Sequence, residues 1–445
     1  MAADLARSKD RVAIRRKAAL RKIGKKRGKE QSAKAKGQLQ FPFRGLARAA
    51  LWDSVVLSGF GFIQEELEAE RTGLCGERYR HQADRQAVRG GHVRSFVVLG
   101  GRRVEIQRPR ARGSNGRELS LPSWQAWSTR DPLDERAFEQ MVVGVSTRRY
   151  ARSLEPLPEE IAVRGISKSA VSERFVIGTE RRLVELMQRD LSGLKLVALL
   201  IDGVHFAEQV VLAAVGIDVD GAKPPLGLRE GATENAAACK ALLEDLIERG
   251  LPPDRAILVV IDGAKALRRA VVDTFGERAF IQRCQVHKRR NVLDALSERR
   301  RASVRTALIQ AYASRDPKRA HRLLENLAHK LESAYPGAAA SLREGLSETL
   351  TVMGMHLSEG LERVLSSTNL IENLFSRVRE IARRVKRWQG GTMILRWTAA
   401  GVLEAERHFR KVAGYRALPR LAAVLHAHDV AIERSRKVEN GKRAA

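Results

Sequence analysis

Leu194-Lys195-Leu196-Val197-Ala198-Leu199-Leu200-Ile201-Asp202-Gly203 is an almost unbroken apolar run of strand length that closes on a carboxylate and a glycine. A run without polar alternation reads as a strand buried on both faces. The same ending returns 60 residues later in Ala256-Ile257-Leu258-Val259-Val260-Ile261-Asp262-Gly263. Between the two, Val210 to Ile217 and Pro225 to Leu228 read as further strands around the turn Asp218-Val219-Asp220-Gly221, and Asn235 to Arg249 has the spacing of an amphipathic helix. A second helix and a strand near Ala279 to Gln282 complete a βββαβαβ order. That order predicts an α/β fold built on a five-stranded mixed sheet.

A strand that returns through a right-handed crossover can pair in parallel beside the first, which would set Asp202 and Asp262 side by side at one edge of the sheet. Adjacent carboxylates repel unless a cation lies between them, and Mg²⁺ suits such a pair because it takes carboxylate oxygens and keeps several waters for phosphate. The plainer alternative is that each Asp-Gly simply opens a turn. For Asp218 and Asp220, in a hairpin turn, that plainer reading is preferred. In Ser367-Thr368-Asn369-Leu370-Ile371-Glu372-Asn373, the apolar spacing from Leu370 to Val385 puts Glu372 in the first turn of a helix, where Asn369 and Glu372 alone would read as a capping box. Cys284-x-x-His287 lacks the second ligand pair of a zinc site and reads as local packing near the sheet edge, beside Lys288, Arg289 and Arg290 as phosphate contacts.

These segments together resemble the Mutator-type transposases of bacterial insertion sequences. The resemblance rests on Ile201-Asp202-Gly203, Ala214-Val215-Gly216-Ile217-Asp218, Leu226-Gly227, Val260-Ile261-Asp262-Gly263-Ala264 and Gln282-Arg283-Cys284-Gln285-Val286-His287-Lys288-Arg289-Arg290-Asn291. It continues in the Ser-Thr-Asn-x-x-Glu motif at 367–372, in Arg384-Val385-Lys386-Arg387-Trp388 and in Arg410 to Tyr415. It spans residues from about 75 to about 420. It implies an RNase H-like catalytic core, a triad of Asp202, Asp262 and Glu372, and two Mg²⁺ ions, or Mn²⁺ in their place, clamping the attacking and leaving oxygens of a phosphoryl displacement. It implies double-stranded DNA as partner, both the element's terminal inverted repeats and the target, and at least a homodimer on that DNA. The 110 residues between Asp262 and Glu372 would hold a large all-helical insertion. Ser367 and Leu370 depart from the commoner family wording, and neither is an implied ligand.

The composition agrees with a polyanionic partner. The chain of 445 residues has 81 Lys+Arg against 52 Asp+Glu, a formal charge of +29, with 44% hydrophobic residues to build a core. Residues 1 to 40 alone carry an excess of +11 and read as a flexible basic arm. Residues 41–130 read as a small mixed β/loop domain of short elements. It holds a hairpin turning at Gly100-Gly101 and, after Pro109 ends it, a basic loop Arg108-Pro109-Arg110-Ala111-Arg112-Gly113. Residues 131–190 read as a helix-turn-helix-like DNA-binding region, with helices over Asp134–Val143 and Ser146–Leu154 and a candidate recognition helix opening at Ser167 and carrying Lys168 and Arg174. The core's first part is set at 191–291, the helical insertion at 292–366, the Glu372 helix and C-terminal helices at 367–430, and a basic tail at 431–445. Arg377 to Arg396 reads as one basic helix, where Arg379, Arg383, Lys386 and Arg387 would follow DNA and Trp388 and Trp397 either stack on bases or pack inside.

No apolar run approaches the roughly 20 residues that cross a bilayer. Three distant cysteines, Cys75, Cys239 and Cys284, argue against a disulfide framework. A cytoplasmic, nucleoid-associated protein without membrane contact is expected. Three alternatives stay open on sequence: an RNase H-like nuclease without strand transfer, a transposase-derived DNA-binding regulator, and a basic scaffold acting through its tails.

Overall fold

The computed structural model describes residues 43–443 except 81, 83, 84, 100, 101, 130, 131, 166, 207, 208, 384 and 386. The basic arm 1–40, the Gly100-Gly101 turn, Arg384 and Lys386 lie outside the described residues. The chain forms two compact units: one holds the described residues up to 129 with Leu154–Gly165, and the other holds Pro132–Ser153 with the described residues from 167 onward.

The first unit begins with helix α1 (Phe43–Cys75), 33 residues long, where short Gly-punctuated elements were expected. Gly59, Gly61 and Gly73 lie within it in open space, so each weakens the helix by about 1 kcal/mol without breaking it. Strands β1 (Ala87–Leu99) and β2 (Arg102–Gly113) form the expected hairpin, longer than its sequence suggested. The basic stretch 108–113 is therefore strand and not loop. Pro109 is accommodated opposite His92, where β1 is bulged at Gly91 (φ +78°) and the ladder is already interrupted. Arg108 and Arg110 both reach Glu118 at 2.7 Å. Short strands β3 (Glu118–Leu119) and β4 (Val163–Arg164) pair with β2, helix α2 (Pro122–Thr129) follows β3, and Leu67, Val97, Ile106 and Leu121 make the core.

The second unit opens with α3 (Pro132–Val142). The helix expected at Ser146–Leu154 is replaced by turns and a single 3₁₀ turn at Ala151–Ser153. Helix α4 (Lys168–Met187) is capped by Ser167, whose hydroxyl accepts from Ala170 N. Strands β5 (Leu196–Phe206), β6 (Gln209–Asp218) and β7 (Pro225–Glu230), helix α5 (Ala236–Glu248), strand β8 (Ile257–Ile261), helix α6 (Lys265–Phe275) and strand β9 (Ala279–Arg283) follow. The sheet order is β7-β6-β5-β8-β9, antiparallel on the β6 side of β5 and parallel on the β8 side.

Side-chain alternation explains the unbroken apolar runs. Leu199, Ile201, Val259 and Ile261 face α5 and α6 through Leu242, Leu246, Leu267 and Val271. Ala198, Leu200, Val204, Leu258 and Val260 belong to the core on the other face, with Phe138, Phe175, Ile371, Phe375 and Trp397. Both faces are covered, so no position could be polar without a partner. Helices α3 and α4 bury Phe138, Val142, Phe175 and Leu186 in this same core.

Helix α7 (Gln285–Asp294) begins before the expected insertion 292–366 and runs into it; within that range follow α8 (Glu298–Tyr312), α9 (Pro317–Glu332), α10 (Pro336–Arg343), a 3₁₀ turn at Ser347–Leu350, α11 (Thr351–Gly354) and α12 (Glu359–Leu365), around Val292, Leu308, Leu324 and Leu342. Then come α13 (Asn369–Ala382), α14 (Gly391–Glu406) and α15 (Leu418–Arg443), which takes up most of the expected basic tail. The expected single helix from Arg377 to Arg396 is broken, with Gly390 (φ +84°) ahead of α14. Its tryptophans pack on the core: buried Trp397 lies on Phe175 at 4.6 Å between centroids, and half-buried Trp388 lies edge-on to Phe206 and Trp397 at 5.7 and 6.3 Å.

Gln282 ties the insertion to the sheet. Fully buried, it donates to Thr349 O and accepts from Val352 N, both at 2.9 Å. Leucine at this position would leave the buried Val352 N without its acceptor, at a cost of about 1–3 kcal/mol, and would take one of the two donors from Thr349 O, which Gln285 Nε2 also reaches at 2.9 Å. Gln282→Leu is therefore expected to lower unfolding free energy by about 2 kcal/mol or more, measured by urea denaturation followed by circular dichroism.

Candidate metal centre

Strands β5 and β8 pair in parallel with Ile201 opposite Ile261, so the residues that follow, Asp202 and Asp262, leave the pair at the same level. The two arrive differently. Strand β5 runs through Asp202-Gly203, with Asp202 opposite Ala213, so the turn reading fails there. Asp202 is 4% exposed and accepts from Gly203 N at 2.9 Å. Strand β8 stops at Ile261, and Asp262 accepts from Ala264 N at 2.9 Å, so this aspartate does open a turn, and it reaches the site as well. By alternation Asp202 lies on the face shared by Leu200 and Val204, against which Ile371 and Phe375 of α13 pack.

That packing brings Glu372 in. The helix cap is Thr368 and not Asn369, so no capping box forms. The residues before α13 are fastened to the start of α7. Gln285 N donates to Ser366 O at 2.9 Å, and Thr368 N and Oγ1 donate to Cys284 Sγ at 3.4 and 3.5 Å. Cys284 N in turn donates to Ile261 O at 2.7 Å. One turn into α7, His287 Nδ1 lies 3.4 Å from Thr368 Oγ1 and Nε2 lies 3.7 Å from Glu372 Oε1. Asp202, His287 and Glu372 each offer a ligand atom within 4.8 Å of the others. Asp262 joins them in lining a cavity of about 470 Å³, together with Arg290, Ser376 and Arg379.

The sequence sets His287 beside the sheet edge, and the structure agrees; it is the residue's role that the sequence did not disclose. Expected as packing, it faces the carboxylates while Cys284 alone takes the buried position. The signal available was its spacing, one turn after the end of a strand parallel to the one that delivers Asp262.

The electrostatics follow from burial. Desolvation pushes Asp202 up to about 6, against the lowering influence of His287 and Thr368 and with Asp262 adding to the rise. The Cys284 sulfur, opposed by burial and helped by Asp202 and Asp262, lifts the His287 imidazole to about 9. Burial alone would raise Cys284, but His287 and Thr368 outweigh it and hold the thiol below its usual range. Without a bound cation, the imidazolium is the positive group nearest the acids.

The basic residues singled out from sequence divide. Lys288 is buried, donates to Ser341 O and Glu344 O at 2.6 Å, and is brought down to about 8 by burial and by Arg283, so it braces α10 and offers nothing to a phosphate. Arg290 and Arg379 line the carboxylate cavity, Arg379 also reaching His205 O at 3.4 Å. Arg289 is half-buried and lines the neighbouring surface of α7, whereas Arg383 and Arg387 are exposed beyond α13. Lys168 is exposed at the start of α4, and Arg174 is half-buried one and a half turns on.

The profile of the transposase Mutator family matches residues 56–411, which include every element around the cavity. The chain belongs to this family. It is 28% identical over 352 residues to the transposase for insertion sequence element IS256 in transposon Tn4001 from Staphylococcus aureus, covering 76% of this chain and 86% of that one. It is 27% identical over 361 residues to the transposase for insertion sequence element ISRM5 from Rhizobium meliloti, covering 79% and 88%. A transposase for insertion sequence element IS1081 from Mycobacterium tuberculosis is 28% identical over 371 residues, covering 80% and 85%. No described helix is long and apolar enough to cross a membrane.

In this Mutator-family chain the buried acid has a consequence for stability. A carboxyl held at about 6 when folded and at its ordinary 3.8 when unfolded is favoured in its neutral form by the fold. The folded state then loses stability as pH rises from about 4 to about 6, by roughly 3 kcal/mol at most. Asp202→Asn, which keeps the acceptor for Gly203 N, is expected to melt at a higher temperature than the parent above pH 6 in EDTA and to match it at pH 4. Thermal unfolding across that range checks this, and equal melting temperatures at pH 7 would contradict it.

Proposed function

We propose that the chain is the transposase of a bacterial insertion sequence, with an RNase H-like core, that binds the element's terminal inverted repeats and catalyses metal-dependent cleavage and joining of DNA strands through Asp202, Asp262 and Glu372. The observation that carries this reading is the meeting of three carboxylates from separate segments at one end of a parallel strand pair, in a chain of formal charge +29. The donor set is one of hard oxygens with a single imidazole, which fits Mg²⁺ or Mn²⁺ better than a thiophilic metal. The raised Asp202 points the same way, since burial makes its charged form costly and a cation would offset that cost. When bound there, two such ions supply charge neutralisation at the phosphoryl oxygens and a lowered pKa for the attacking hydroxyl.

The chain's own residues would do the rest. Asp202, fixed in mid-strand, and Asp262, held by Ala264 N, form the rigid side of the site. Glu372, 41% exposed at its side chain, closes it from the helix, with His287 holding its carboxylate. Arg290 and Arg379 face the cavity and would grip the phosphates on either side of the reacting one. Water and then a DNA 3′ hydroxyl serve as nucleophiles, and the Ser376 hydroxyl donates to Glu372 O at 2.9 Å. Cleavage frees the 3′ end of the element, and that hydroxyl attacks the target strand. We assign recognition of the ends to the basic arm 1–40 and to segments 41–130 and 131–190, the chemistry to 191–291 and 367–430, and bracing of Glu372 to 292–366. Two ends must be joined in one event, so the active form is at least a homodimer, acting in the cytoplasm on nucleoid DNA.

The test uses a plasmid carrying a marker between the DNA segments that flank the coding region. The full chain with Mg²⁺ should excise and join the marked segment. Asp262→Asn and Glu372→Gln should each lower the rate by on the order of a thousandfold, the loss of several kcal/mol of transition-state stabilisation, while retaining DNA binding. Full activity in Asp262→Asn would sink the catalytic assignment. Cleavage without joining would make the protein a nuclease.

A further inference from the structure

We propose that the groove between α7 and α8 carries the phosphate backbone of the DNA strand as it leaves the carboxylate cavity. This rests on the function proposed above and assigns to that function a track that the helical insertion supplies.

Two facing helix stripes build the groove. On α7, Val286, Arg289, Arg290 and Leu293 follow the i, i+3, i+4, i+7 spacing of one helical face, and all four line the hollow. On α8, Arg301, Arg305 and Ile309 stand at successive i, i+4 positions and line it from the other side. Four guanidiniums thus rise over an apolar floor, with Ile309 48% exposed and Asp294 the single acid among the described lining residues. The hollow adjoins the carboxylate cavity at Arg290, which lines both. At its other end it shares Val286, Arg289 and Ile309 with a second hollow beside α12.

The arginines are also left without acidic partners. Elsewhere in this unit Arg343 binds Glu325 and Glu332, Arg268 and Arg283 bind Glu348, and Arg249 binds Asp245. Among the described residues Arg289, Arg290 and Arg305 have no ion-pair partner, and Arg301 spends only its Nε, on Leu296 O at 3.2 Å. Four unneutralised guanidiniums in one hollow are a poor arrangement for a solvated surface and a good one for a polyanion, because Arg offers paired donors to phosphate oxygens. Exposed aliphatic surface between the charges suits the sugar edges of the same strand. A strand whose reacting phosphate lies at Asp202 and Asp262 passes Arg290 before it meets any other residue of this groove.

The experiment measures binding of a fluorescein-labelled mixed-sequence duplex to the full-length Asp262→Asn chain by anisotropy, over a range of NaCl concentrations. In that background no cleavage is read, so failure of the groove and failure of the catalytic assignment show separately. Each lost phosphate contact reduces the slope of log affinity against log salt by about 0.7 to 0.9. Arg301→Gln with Arg305→Gln should therefore flatten the slope by about 1.4 to 1.8. Arg301→Lys with Arg305→Lys, which keeps both charges, should restore it. Lys240→Gln with Arg269→Gln, an equal loss of charge on α5 and α6, should leave the slope within error. An unchanged slope in the Gln pair, or an equal flattening in the α5/α6 control, would overturn the proposal.

Discussion

The parallel pairing of β5 with β8, with Ile201 opposite Ile261, is the constraint on which the rest of the second unit depends. It sets two carboxylates at one level, and through alternation it fixes which face each neighbouring side chain takes. One face goes to α5 and α6, the crossover that makes parallel pairing feasible. The other goes to α13 and α14, and therefore decides which helix meets Asp202. A slip of one residue would turn Leu200, Val204 and Asp202 away from α13 and put Ile201 or Gly203 where Asp202 belongs. The apolar cores on both faces hold that register against the repulsion between the acids.

Much of this arrangement could be read from the chain itself. Two apolar runs of strand length with the same Ile-Asp-Gly ending give the sheet and the acid pair, because burial on both faces leaves no other explanation for residues 196–201 and 257–261. Glu372 was legible only through the family motif. Its helical spacing is equally that of a capped helix start, and its approach to Asp202 depends on contacts that span the whole insertion. What escaped notice was decided by tertiary context. Lys288 and His287 are adjacent on α7 and point opposite ways, which a run of basic residues does not reveal. Pro109 signals the end of a strand unless the partner strand is already bulged. Trp388 and Trp397 have the residue type of a base-stacking surface, yet Phe175 and Phe206 occupy their ring faces and edges.

The charge of the protein is distributed with the same economy. Among the described residues of the insertion, Arg343 is paired with Glu325 and Glu332 and Arg315 with Glu359, which ties neighbouring helices together. Arg289, Arg290, Arg301 and Arg305 share one hollow on α7 and α8, and Asp202, Asp262 and Glu372 share the cavity beside it. Opposite signs thus adjoin at Arg290, which lines both hollows.

Gln282, the buried amide that ties Thr349 and Val352 to β9, has a consequence in time as well as in space. During synthesis Asp202 and Asp262 can fold into their sheet early, but Glu372 cannot be delivered until the insertion has been made, packed and pinned to that glutamine, and α13 has followed. A growing chain thus holds two of its acids for some while without the third. On the function proposed above, the three acids that would cut DNA come together only after α13 has left the ribosome.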